Sequence, residues 1–385
     1  MIAASLALLL LQSPPAPAPE ATQLPPPTRE AMITQAVGQL VAIQENGEWP
    51  YEGVYRVGGE IPIGYRIGGT SIVGTTLLHT APKDDSALAA IDRGLASVLL
   101  LLDDPLMEPS VKDVYDVRVW GHAYALAFLC ELRAAKRIAG HEAEVRGWIP
   151  KLVETLTTEE ISGGGWNYAS HREPATFVTA PVTQALLLAR SQGEKVPDEL
   201  FERARKVLLS GRHGDGAFAY SGEAEEPVGV GMSRNVFASL AGSSGRSAAC
   251  EGTLFLLGGS SLDKVRQSAL NFFEHWDDLE ARRKKKGTHE GPYRIAPYYF
   301  FYAHAYTAQA IELLPAKARD ELRKRMLETL LRTRDEDGTW DDRIFPRTRN
   351  YGTSMAVLAL LMDKAPLPAA WPEAKKSAKE EEPGK

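Results

Sequence analysis

Residues 335–341 read Asp335-Glu336-Asp337-Gly338-Thr339-Trp340-Asp341, a polar, glycine-bearing turn that ends on a large aromatic. Three further stretches repeat it: Asn46-Gly47-Glu48-Trp49-Pro50-Tyr51, Gly163-Gly164-Gly165-Trp166-Asn167-Tyr168 and Gly214-Asp215-Gly216-Ala217-Phe218-Ala219-Tyr220. Their aromatics, Trp49, Trp166, Phe218 and Trp340, lie 117, 52 and 122 residues apart, so each long interval hides one degenerate copy. The first hidden copy runs from Ser86–Leu102 through Asp113–Asp116 to Val117–Arg137. The second runs from Leu262–Trp276 through Gly291-Pro292-Tyr293 to Ala296–Leu314. A fixed period of this size marks repeats in which each unit buries its apolar face against its neighbours.

Each unit reads as two helices around the turn. The first is amphipathic, as in Leu200-Phe201-Glu202-Arg203-Ala204-Arg205-Lys206-Val207-Leu208-Leu209, and so has one wet face. The second is apolar all round, as in Val119–Leu129 and Pro181–Ala189, and so belongs inside a larger assembly. Six such pairs, about twelve helices, predict an all-α fold, an α/α toroid in two concentric layers. An open superhelix would call for more repeats and polar capping units.

The chain has 385 residues, 44% hydrophobic and 24% charged, enough for one large core. The expected organisation is a signal-like segment and Pro-rich linker over 1–27, the toroid over 28–364 and a disordered charged tail over 365–385. Ile2–Leu11 is apolar but too short to span a bilayer, and small residues follow near Ala16 and Ala18. That pattern predicts an extracytoplasmic protein, with membrane contact only through an uncleaved N-terminus, although no Lys or Arg precedes the apolar run. The net charge of −6 argues against nucleic-acid binding. The basic run Arg282–Lys286 reads as a solvated loop. Cys130 and Cys250 read as buried small hydrophobes, with one bridge between them as the alternative.

The Asp337-Gly338-Thr339-Trp340 turn followed by Tyr351–Leu360 resembles the prenyltransferase and squalene-oxidase repeat of the terpenoid cyclase and protein prenyltransferase toroids. The stretch Ala296–Ala310 resembles the same element in secreted bacterial members of unknown activity. The resemblance spans roughly residues 28–362 and is specific for fold rather than chemistry. It implies a cavity that takes a small molecule such as an isoprenoid. The Asp-x-Asp-Asp motif of the cyclases is missing; Asp277-Asp278 and Asp341-Asp342 lack its first Asp, and the latter pair reads as part of a structural turn. The zinc motif of the prenyltransferases and the thioester motif of the complement-type toroids are also unmatched around Cys250, so no metal is expected and the cofactor is left unassigned.

Chemistry is expected at the rim formed by the turns and the N-termini of the inner helices, where unpaired N–H groups favour a polar or anionic group. The catalytic candidates there are Asp113, Asp116, His122 and His304. The ligand-binding candidates are Arg118, Tyr168, His171, Arg234, Arg294, Tyr298, Tyr302 and Tyr351. Each has a plainer reading. Asp113 and Asp116 suit helix caps, the two histidines sit among apolar neighbours, and the Tyr298–Tyr306 aromatics suit a core. The leading expectation is a ligand-binding toroid without the familiar catalytic motifs. The alternatives are an isoprenoid transferase or cyclase with a divergent site, a polysaccharide lyase-like enzyme using Tyr168, His171, Arg234 and Tyr302, and a protein-binding scaffold.

Overall fold

The computed structural model describes residues 26–80, 84–110, 117–168, 173–224 and 238–373. Their helices are α1 (Arg29–Ala42), α2 (Ile63–His79), α3 (Asp85–Leu102), α4 (Arg118–Ala134), α5 (Glu142–Thr158), α6 (Thr176–Ser191) and α7 (Asp198–Ser210). There follow α8 (Leu240–Leu256), α9 (Leu262–Glu274), α10 (Trp276–Glu280), α11 (Tyr299–Leu313), α12 (Ala316–Thr333) and α13 (Thr348–Leu361). The all-α toroid expected from the repeat is the fold observed.

The amphipathic helices form the outer layer. In α7 the buried residues Leu200, Phe201, Ala204, Val207 and Leu208 make one stripe, and Val265, Ala269, Phe272 and Phe273 do the same in α9. The second helix of each pair is inner: in α6 every residue from Thr176 to Leu187 is buried. The inner helices touch in the order α2, α4, α6, α8, α11, α13 and back to α2, so the layer closes into a ring. Polar contacts lock the closure between repeats six and one. Gln35 and Gln39 donate to the Asp337 carbonyl, Asn350 Nδ2 donates to the Pro50 carbonyl at 3.1 Å, and Arg347 pairs with Glu45.

The turn aromatic ties the two layers together in a way that repeats. The indole N–H of Trp49, Trp166 and Trp340 donates to the Leu40, Leu156 and Leu330 carbonyls at 2.6, 2.7 and 2.9 Å. Each of those carbonyls lies in the last turn of an outer helix, where no backbone partner exists. The backbone N–H of the same tryptophans donates to Thr70, Thr179 and Thr353 Oγ1 on the inner helices at 2.9, 3.0 and 3.0 Å. Two of those threonines follow a glycine for a steric reason. A Cβ on Gly69 would lie 2.4 Å from the Trp49 carbonyl oxygen, and one on Gly352 would lie 2.5 Å from that of Trp340. In repeat four, where Phe218 has no indole, Arg246 takes the threonine position and donates Nη2–H to the Phe218 carbonyl at 2.7 Å.

Two expectations need correction. The sequence predicts a disordered tail from residue 365, but residues 365–373 run back across the ring. Trp371 is buried, stacks near Phe201, donates its indole N–H to Asp198 at 2.8 Å and its backbone N–H to the Leu256 carbonyl at 2.9 Å. One tryptophan among prolines and alanines has no periodicity that would announce it. The basic run is likewise no solvated loop at its start. Arg283 Nη1 donates to the Asp341 carbonyl, the Lys284 backbone N–H donates to the Asp342 carbonyl at 2.8 Å, and Lys284 Nζ pairs with Asp335 at 2.6 Å. These contacts fasten repeat five to turn six.

If the indole bond is a staple, Trp166→Phe keeps most of the ring and orphans the Leu156 carbonyl. Urea unfolding should then show a loss of about 1–3 kcal/mol. No loss would mean that ring packing alone holds the turn.

Candidate functional site

In two of the turns the residue two places after the aromatic lines the ring axis. Tyr51 follows Trp49 and Tyr168 follows Trp166 in this way, and both wall a cavity of about 30 Å³ at the rim end of the bore. Tyr65, Trp120, Phe177, Tyr298, Tyr299, Tyr302 and Tyr351 complete the wall. These rings meet edge to face or tilted, with Tyr51 and Tyr351 4.9 Å apart, Tyr65 and Trp120 5.5 Å apart, and Phe177 and Tyr299 5.3 Å apart. Such a cage offers many π faces for its volume. On α11 the spacing of Tyr299, Tyr302 and Tyr306 puts all three on the inward face. Tyr302 donates its hydroxyl to the Phe177 carbonyl at 2.9 Å and stacks 4.5 Å from Tyr306.

The Tyr124 and Tyr306 hydroxyls, 3.3 Å apart, form a constriction below the cage. Beyond it the far mouth holds a second cavity of about 170 Å³, lined by Ala123, Ala127, Ala185, Leu188, Met355 and Leu358 among others and covered by Pro366-Leu367-Pro368. Gln184 and Gln309 are reciprocally bonded there at 2.9 and 3.0 Å. Outside the ring, a groove of about 680 Å³ runs along turn one. Its polar wall consists of Arg66 with Glu48, Arg56 with Glu52, and Arg347 with Glu45.

Turn six departs from the pattern. The residue two places after Trp340 is Asp342, so a carboxyl stands at the register that Tyr51 and Tyr168 occupy in their repeats. Asp342 is 0% exposed, and neither side-chain oxygen has a hydrogen-bond partner. Burial, reinforced by neighbouring Asp341 and opposed by Arg343, holds its proton well above the usual carboxylate range. Arg343 is 1% exposed, and its Nε and Nη2 are also unpartnered. The Tyr51 hydroxyl lies beside Arg343 without a well-formed hydrogen bond to it. Asp341 is different: its Oδ1 accepts from Thr348 Oγ1 and from the Arg343 backbone N–H, which makes it a turn residue.

The structure brings Tyr168, Tyr298, Tyr302 and Tyr351 together in the cage. Burial keeps the phenols of Tyr298, Tyr302 and Tyr351 protonated, well above their ordinary range. Asp113, Asp116, His171 and Arg234 lie outside the described residues. Arg294 is exposed and has φ +53°, and its carbonyl accepts from His289 Nδ1. His122 and His304 occupy, on α4 and α11, the helix register held by Thr70, Thr179 and Thr353, flanked on both sides by small residues, and so face the outer layer. His122 Nδ1 lies 2.9 Å from Glu159 Oε2, and Arg118 lies 3.8 Å from the same carboxylate. His304 Nε2 accepts from the Trp276 indole at 2.9 Å, which leaves the proton on Nδ1 to donate to the Phe300 carbonyl at 2.7 Å. Cys130 and Cys250 are free and buried, and burial pushes each thiol up to about 12. Among the described residues no cluster of His, Cys, Asp or Glu could hold a metal ion.

Tyr51, Tyr65, Trp120, Phe177, Tyr299, Asp342 and Arg343 were not among the sequence candidates. The register after the turn aromatic was the available signal for Tyr51 and Asp342. Burial lowers the His304 pKa to about 4, so the unfolded chain binds that proton at higher pH than the folded one. Stability from the neutral ring is therefore full above about pH 6.5 and falls as pH drops toward 4, by roughly 3 kcal/mol. Urea unfolding at pH 7.5 and 4.5 should show wild type losing about that much more than His304→Gln. Equal losses would place the acid sensitivity elsewhere.

No family model matches the sequence, and no curated protein does. Solved structures do. An α-1,6-mannanase, GH76A of Salegentibacter sp. HEL1_6, in an inactive variant in complex with α-1,6-mannotriose, is 12% identical with a TM-score of 0.57; the match covers 87% of this chain and 100% of that one. The unsaturated glucuronyl hydrolase from Bacillus sp. GL1 is 13% identical with a TM-score of 0.56, over 89% and 99%. The type II terpene cyclase MstE from Scytonema is 13% identical with a TM-score of 0.52, over 87% and 98%. At these identities the chain shares their toroid fold, which hosts both glycoside hydrolases and a terpene cyclase.

Proposed function

We propose that this toroid binds a short linear isoprenoid along its bore. The single observation that carries the reading is a ring interior lined by aromatic side chains at the cage and mainly by aliphatic ones at the far mouth, with Gln184, Gln309, His79 and Glu131 among the polar exceptions. Two buried tyrosine hydroxyls in the cage wall, those of Tyr51 and Tyr299, have no hydrogen-bond partner. A core built only for stability would place phenylalanine at such positions, because an orphaned buried hydroxyl costs about 1–3 kcal/mol. The cage as it stands has room for water alone, so a chain would enter by turning tyrosine rings aside. Each displaced ring would exchange the face of a neighbouring ring for the flank of the ligand chain. A variant of the terpene cyclase MstE, of the same fold, is solved in complex with geranylgeranyl dihydroxybenzoate, which supports this reading.

The groove along turn one supports a second reading, in which an oligosaccharide lies against its Arg–Glu pairs; a mannanase of the same fold is solved in complex with α-1,6-mannotriose. Export completes the proposal. No helix among the described residues is long and apolar enough to cross a membrane, and the apolar start of the chain suits a secretion signal. N-terminal sequencing of the exported protein would locate the cleavage, and retention of Met1 on a cytoplasmic product would refute it.

A thermal-shift series with geraniol and with α-1,6-mannotriose separates the two ligands, since a native-state ligand stabilises the fold by RT ln(1 + [L]/Kd) and so raises Tm. Geraniol should raise Tm, and Tyr306→Trp, which fills the constriction, should abolish the shift while leaving the unliganded Tm within a few degrees. A shift with the trisaccharide alone would favour the groove, and no shift with either would favour a scaffold that binds protein.

A further inference from the structure

Beside Tyr51 of the cage wall, and behind the wall itself, lies a buried cation without an ion-pair partner. Arg343 is 1% exposed and makes no ion pair among the described residues; the Phe345 ring lies 5.3 Å from its guanidinium carbon. Its unpartnered atoms are Nε and Nη2, whose N–H bonds lie on one edge of the guanidinium plane. That edge is the one that meets both oxygens of a carboxylate in a side-on bidentate pair. Beside it stand the orphaned Tyr51 hydroxyl and the orphaned carboxyl of Asp342, at the register where other repeats aim a tyrosine at the ring axis.

A buried guanidinium without a counter-ion is costly, and the chain places no carboxylate within 4 Å of it among the described residues. Asp342 does not pair with it: neither of its unpartnered oxygens comes within 4 Å of the guanidinium, and burial favours its neutral form. The local charge is therefore positive, while the surrounding wall is aromatic. A diphosphate would bring more negative charge than one guanidinium can meet, whereas a single carboxylate matches it in charge, shape and number of acceptors.

We propose that the Asp342–Arg343–Tyr51 cluster is a carboxylate-recognition site, and that the ligand of the bore is an apolar monocarboxylic acid with its head group at turn six. This rests on the bore-binding reading. Arg343 holds both carboxylate oxygens, Tyr51 donates its hydroxyl, and protonated Asp342 donates a third hydrogen bond. The charged and titratable groups facing Asp342 are Asp341 and Arg343 on turn six, Arg283 on the loop after α10, Tyr51 on turn one and Tyr351 on α13. Ionising Asp342 would set a negative charge beside the bound carboxylate, so affinity should fall as pH rises through its raised pKa.

The test is calorimetric titration of the full chain with geranic acid and with geraniol, two probes that share a chain and differ in the head group. At pH 7 the acid should bind at least tenfold tighter than the alcohol. Asp342→Asn, a neutral isostere, should keep the preference and remove its loss at high pH, and Arg343→Gln should bring the acid down to the level of the alcohol. Equal binding of the two probes by wild type would overturn the carboxylate site and leave the bore reading standing; failure of both to bind would remove the bore reading itself. Because the wild-type comparison needs no substitution, a misfolded Arg343→Gln leaves the proposal decidable.

Discussion

A single hydrogen-bonded staple organises the molecule: a tryptophan at the end of each full turn gives its indole N–H to the outer helix and its backbone N–H to the inner one. Helix C-termini leave carbonyls without backbone partners, and the indole reaches one of them at Leu40, Leu156 and Leu330. The same residue fills the gap between layers, with Trp49, Trp166 and Trp340 all fully buried. Two layers fixed to each other at regular intervals, with inner helices too apolar to face water, have few ways to pack other than around a ring. Where a repeat lacks the tryptophan, another residue at the threonine register ties the layers: Arg246 to turn four, and His304 to Trp276 of α10.

The staple also decides what the ring encloses. With the aromatic fixed in the interlayer, the residue two places on is carried to the axis. Repeats one and three place tyrosine there, and repeat six has Asp342 at the same register. The cage is therefore in part a consequence of the turns, and Asp342, beside Tyr51, is the acidic residue at that register. Orphaned polar atoms at Tyr51, Asp342 and Arg343 are uncompensated losses of stability, gathered at one side of the bore. Proteins depart from consistent packing most often where function demands it.

Much of this was legible in the sequence, and what was not has particular causes. The turn spacing and the contrast between wet and dry helices sufficed for six pairs in two layers, because both are local patterns. Of the inward tyrosines of α11 only Tyr302 was legible as a site residue, because a tyrosine-rich helix reads equally well as core. His304 was ambiguous because only tertiary structure brings Trp276 to its Nε2. Asp342 reads as a turn residue because its neighbour Asp341 is one, yet only Asp341 is bonded within the turn. Trp371 and the fastening of Arg283 and Lys284 onto turn six depend on contacts between distant segments, which no periodicity encodes.

The most direct measurement is a crystal structure of the full chain grown with geranic acid. Density running from turn six down the bore, with the carboxylate within hydrogen-bond reach of Arg343 Nε and Nη2 and the cage tyrosines turned aside, is the expected result. A bore closed by its tyrosines as described above, with the acid bound elsewhere or absent, would contradict the central claim that the orphaned groups at turn six exist to meet a ligand.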